Sequence, residues 1–89
     1  MAALTSADKI AIAKKFYEEF FQFKGGASTP WTKPELNAAA DSVNNWMDAA
    51  QSNFLAALAT DAPAFSAASS GPQKTILFCV VALKRAGVI

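Results

Sequence analysis

Cys79, the pair Glu18 and Glu19, and the pair Asp41 and Asp48 are the side chains whose types could do covalent, acid–base or metal chemistry. A cysteine nucleophile acts as a thiolate, and it needs a neighbouring base or cation to stay one. The chain has no histidine, and Cys79 lies between Phe78 and Val80, a setting that predicts burial and an inert thiol. Catalytic carboxylates need one member with a raised pKa inside a cleft. Glu18, Glu19, Asp41 and Asp48 instead fall on polar stripes, which predict solvated faces. Asp41 and Asp48, seven residues apart, are a poor metal site without further ligands. Gly25 and Gly26 follow a helical segment and Gly71 stands alone, so none belongs to a phosphate-cradling loop at a helix start. The residues predict a protein that is not an enzyme and holds no cofactor and no metal.

Composition narrows the remaining classes. Residues 62–89 carry Lys74, Lys84 and Arg85 with no side-chain acid, a mildly basic end, but the whole chain carries a net charge of only +1. A recognition helix needs several polar and basic side chains on its exposed face, and the segment bearing these three has almost none, so no nucleic acid is expected as a partner. The longest apolar run, Ile76–Leu83, spans eight residues, against about 20 for a bilayer crossing. Met1 to Asp8 has neither the basic start nor the apolar run of a signal peptide. A soluble chain without a membrane partner is expected. Its single cysteine allows no intrachain disulfide, so packing alone must hold the fold. At 89 residues one domain, 1–89, is expected, and such a chain buries only about 60–65% of its unfolded surface. Hydrophobic residues make up 53% and charged residues 17%, more apolar surface than a small monomer easily hides. Protein partners, including copies of the chain itself, follow as the expectation.

The elements that must position these side chains are announced by repeated helix starts. Thr32, Lys33, Pro34, Glu35 and Ser70, Gly71, Pro72, Gln73 each place a hydroxyl, a spacer, a proline and then Glu or Gln. The hydroxyl accepts from the backbone N–H three residues on, the Glu or Gln reaches back, and proline sits where the first turn needs no N–H. Thr5 with Asp8, and Asp61, Ala62, Pro63, Ala64, are weaker versions. Helices are expected at roughly 6–24, 33–59, 62–69 and 71–86: an all-α bundle of three main helices plus one short helix. In the second, Leu36, Ala40, Val43, Met47, Ala50, Phe54 and Ala57 alternate in steps of four and three, with Asn37, Asp41, Asn44, Asp48 and Gln51 as a parallel polar stripe. Trp31 is placed to staple onto Leu36, and Trp46 to bury its ring while keeping its N–H near water. The last helix is apolar on every side from Ile76 to Leu83, which predicts a central rod wrapped by the first two. Gly87 suits the left-handed position that closes it.

The candidate contact residues are aromatic and aliphatic. Ile10, Tyr17 and Phe21 lie along one margin of the first helix, Ile12 and Phe23 along the other, so one neighbour can hardly cover both. Trp31, between Pro30 and Pro34 in its turn, is a staple and a candidate anchor for a partner. With Val88 and Ile89 at the C-terminus, the predicted protein interface is Ile10, Tyr17, Phe21, Phe23, Trp31, Val88 and Ile89.

Asn45, Trp46, Met47, Asp48 in a long alanine-rich helix, followed by Gly71, Pro72, Gln73, Lys74 and an apolar helix ending Leu83, Lys84, Arg85, Ala86, Gly87, is similar to small helical proteins encoded among the structural genes of tailed phages and prophages. The resemblance covers residues 32–87 and implies a virion component of capsid, neck or tail, acting in many copies by contact with other virion proteins. Its location would be the virion, or the cytoplasm of the producing cell before assembly. The alternative is a soluble regulatory or immunity-type helical bundle that binds one cellular protein.

Overall fold

Each helix begins where an acceptor takes up N–H groups that the first turn leaves without helical partners. The computed structural model describes residues 3–24, 31–49 and 53–89, the side chains of 21–24 excepted. Thr5 and Asp8 bond reciprocally, Thr5 N to Asp8 Oδ2 at 3.0 Å and Asp8 N to Thr5 Oγ1 at 3.1 Å, and open α1 (Ser6–Lys24). Thr32 Oγ1 accepts from Glu35 N at 3.4 Å and opens α2 (Lys33–Asp48). Asn53 Oδ1 accepts from Ala56 N at 3.0 Å and opens α3 (Phe54–Asp61). α4 (Pro63–Ala68) follows with Ala62 at its N-cap and no cap bond from that side chain. Ser70 and Gln73 form the full reciprocal box, with Ser70 N to Gln73 Oε1 at 2.7 Å and Gln73 N to Ser70 Oγ at 3.3 Å, opening α5 (Gly71–Arg85). Gly87, at φ 77°, ends α5 with its N–H on the Lys84 carbonyl and that of Val88 on the Leu83 carbonyl, the paired bonds of a Schellman turn.

The chain is all-α; among the described residues there is no strand, and five helices stand where four were expected. The expected second helix over 33–59 divides. Asp48 is its last helical residue, Ala49 is extended at φ −91°, ψ 152°, and a new start is built on Asn53. Side-chain periodicity continues across the break because α3 returns its apolar residues to the same core, which is why spacing alone reads as one rod. The expected turn at Gly25 and Gly26, the seam and stripe residues Ala50 and Gln51, and the side chains of Phe21 and Phe23 lie outside the described residues.

The centre of the fold is α2, which packs against each of the other four helices. Its apolar Leu36, Ala39, Ala40 and Val43 are all buried, and the run of alanines lets neighbours approach closely. Around it, Phe16 and Phe20 of α1, Trp31 and Phe65 of α4 stack edge to face, with Trp31 and Phe65 centroids 4.8 Å apart and Phe20 and Trp31 5.6 Å apart. Four largely buried aromatic side chains, each withdrawing about 150–250 Å² from water, meet at this one junction.

α5 is not the central rod its composition predicts. It packs against α1 and α2 and buries one face, Gln73, Leu77, Val80 and Val81. The other face meets solvent, and Cys79 is exposed rather than buried. Beyond α1 and α2 it is touched by α3 through Phe54 on Phe78, and Thr75 and Cys79 stay exposed, so α5 is not enclosed on every side, however apolar its sequence.

Candidate protein-contact surface

The charged side chains are largely committed to joining helices. Arg85 of α5 donates through Nη1 to the carbonyl of Asn44 at 3.2 Å and to Asn44 Oδ1 at 3.0 Å, and through Nη2 to Asp48 Oδ1 at 2.5 Å. The Arg85 hydrogen bond is the main reason the Asp48 carboxyl is held down to about 2. Lys84 reaches Asp8 of α1 at 3.6 Å and donates to the Ile89 carbonyl at 3.2 Å. Chiefly through the Thr5 backbone N–H, with Lys84 adding to the effect, the Asp8 carboxyl is held below its ordinary value. Lys74 donates to the Ser69 carbonyl at 2.8 Å. All three cations of the basic C-terminal end are therefore turned to internal partners.

Glu35 departs from the local box its spacing predicts. Its backbone N–H bonds Thr32, but its carboxylate crosses to α4, where Oε1 accepts from Ala64 N at 2.8 Å and Phe65 N at 3.2 Å. α4 is thus capped from another helix, by a negative group at the positive end of its dipole. Ala62 at the N-cap, which has no acceptor in its side chain, was the available signal that a cap had to come from elsewhere.

Asp41 pairs with Lys9 at 2.9 Å, while Asp48 pairs with Arg85, so the two acids serve different joints. Glu18 and Glu19 share Lys15, at 3.9 and 3.2 Å. Among the described residues, no three His, Cys, Asp or Glu side chains gather as a metal-binding group, and no helix is long and apolar enough to cross a membrane.

What the surface offers is grooves on either flank of α1. Between α1 and α5 runs a groove of about 370 Å³. Thr75, Ile76, Cys79, Val80 and Leu83 line it from α5, and the Lys15 to Glu19 pair lines it from α1. Between α1 and α2 lies a smaller groove of about 250 Å³, edged by Lys9, Lys14 and Lys33 with Ile10, Tyr17 and Asn37 between them. Both lie beside the stripe Ile12, Ala13, Phe16 and Phe20 that α1 buries between its neighbours, among its described side chains.

The expected interface residues separate into three groups. Ile10, 71% exposed, and Val88, 66% exposed, stand in solvent. Tyr17 and Ile89 are half-buried against the core. Trp31 is 5% exposed, its ring among Phe16, Phe20 and Phe65; the staple role holds it inside and takes it off the accessible surface. A second aromatic cluster, not anticipated as a unit, joins Trp46, Phe54 and Phe78 with centroids 5.4 to 5.6 Å apart. It forms because the break after Asp48 lets Phe54 fold back beside Trp46. Among the described residues Trp46 Nε1 has no hydrogen-bond partner, and it is buried rather than kept near water. Beside this cluster in sequence, Leu55 is 57% exposed.

Comparison with protein families, with curated proteins and with solved structures gives no match to this chain.

Proposed function

We propose that this chain is a non-catalytic structural or adaptor protein that works by protein–protein contact in a larger assembly, a tailed-phage particle. It acts there as a capsid, neck or tail component, resident in the virion and in the producing cell's cytoplasm before assembly. The observation that carries the reading is accessible apolar surface: Ile10 of α1 and Val88 after α5 in solvent, and the α1/α5 groove lined by the partly exposed Ile76 and Leu83. Exposed apolar area of this kind on a small domain is stabilised by a partner that covers it. The resemblance of residues 32–87 to phage structural proteins supplies the kind of assembly.

The test is co-purification with particles. Particles from producing cells, banded on a density gradient, should hold the chain in a constant ratio to the main capsid protein. Cys79→Arg, which places a bulky charge in the α1/α5 groove from an exposed position, should lose that incorporation while its circular dichroism stays that of the parent. A chain that remains wholly in the soluble fraction, or that captures a single cellular protein there, refutes the assembly role.

A further inference from the structure

We propose that the α1/α2 groove docks an acidic, amphipathic segment of a partner protein, with an apolar side chain seated on Ile10 and Tyr17 and carboxylates meeting Lys14 and Lys33. The inference rests on the contact-based reading above and names the chemistry of one partner.

Its basis is an uncompensated charge pattern. Ile10, Lys14 and Tyr17 are spaced four and three apart on α1 and share one side of that helix, while Lys33 and Asn37 face them from the first turns of α2. Lys9, at the same rim, is paired with Asp41. The acids that could neutralise the others are occupied elsewhere: Glu18 and Glu19 on Lys15, Asp8 on Lys84, and Glu35 on the start of α4. Among the described residues, neither Lys14 nor Lys33 has a carboxylate within ion-pair distance. A rim with two unpaired cations, surrounding an isoleucine 71% exposed and a half-buried tyrosine, is complementary to a segment that alternates acid with apolar. At about 250 Å³ the groove falls short of the roughly 300–1,000 Å³ of small-molecule pockets, which suits anchor side chains of a peptide. The net charge of +1 means that the attraction is local to this rim.

The probe is a glutamate-rich peptide with leucines at helical spacing, titrated into the isotope-labelled protein and followed by amide chemical shifts. Its glutamine analogue and a single-stranded oligonucleotide serve as separate arms. The expected result is saturable peptide binding with shifts confined to the groove residues, and affinity lowered roughly tenfold or more by the double variant Lys14→Glu, Lys33→Glu. Both substitutions are at exposed positions, and the unchanged spectrum of the remaining amides checks that the variant is folded. Absence of binding, shifts centred elsewhere, equal binding of the glutamine analogue, or equal oligonucleotide binding at the same residues would each overturn the proposal. Particle incorporation and its loss in Cys79→Arg report on the other groove, so the two readings fail separately.

Discussion

Glu35→Ala removes the acceptor that two backbone N–H groups of α4 share, and its cost separates a cross-helix cap from a local one. In the structure the carboxylate accepts from Ala64 N at 2.8 Å and Phe65 N at 3.2 Å, and α4 has no cap from its own N-cap side chain. Loss of an N-cap acceptor costs about 0.5–2 kcal/mol, and a negative charge at a helix start contributes about 0.3–1 kcal/mol more at exposed sites. Glu35 is half-buried, so the combined effect should be about 1–2 kcal/mol, with Tm falling by about 4–8 °C per kcal/mol in a domain this small. Glu35→Gln, which keeps an acceptor oxygen in the form of an amide and loses the charge, should retain more than half of that stability. Thr32→Ala removes a longer bond, 3.4 Å, and should cost about 0.5–1 kcal/mol. The two effects should add to within about 0.5 kcal/mol, because the Thr32 hydroxyl holds the Glu35 backbone and not its side chain. Chemical denaturation of the singles and the double closes the cycle, and hydrogen exchange reads the amides of Ala64 and Phe65 directly. A Glu35→Ala variant as stable as the parent, unchanged exchange at those two amides, or strong coupling to Thr32 would refute the cross-helix cap.

Protonation of Asp48 should weaken the joint between α2 and α5. Its folded-state pKa, held to about 2 against an ordinary 3.8, means that its contribution is complete above about pH 4 and is lost as the pH falls toward 2. Asp48→Asn should flatten the acid limb of stability measured across that window, and an unchanged limb would count against the Arg85 contact. Phe16→Ala, at the fully buried aromatic junction, should cost about 3–5 kcal/mol, whereas Phe78→Ala, half-exposed beside Trp46, should cost about half as much or less; denaturation midpoints of equal size would reverse this assignment of the core. The Cys79 thiol should react with a chromogenic disulfide reagent in the folded protein at the rate of an accessible thiol, and labelling only on unfolding would show that α5 is enclosed after all.

Much of the fold was legible before any coordinate. The boxes at Ser70 with Gln73 and at Thr5 with Asp8, the proline-led starts of α2 and α5, and the Gly87 terminator are local devices, complete within a few residues, and each appears where the spacing places it. The exposed Ile10 could be nominated because apolar content on an outer helix margin is visible in one dimension, and the exposed Val88 because it lies beyond the last helix. Three features were not legible. The break between Asp48 and Asn53 interrupts no periodicity. The Glu35 carboxylate has two possible targets, one three residues away and one on another helix. The exposure of Cys79 depends on how many helices flank α5.

By itself the sequence determined where α1, α2 and α5 begin, where α1 and α5 end, that all secondary structure among the described residues is helical, and which faces carry apolar side chains, because capping, propensity and periodicity act over one or two turns. Only the tertiary structure decided which helix lies at the centre. Composition favours α5, but enclosure is set by the number of neighbours, and α2, richer in alanine, is the helix that packs against all the others.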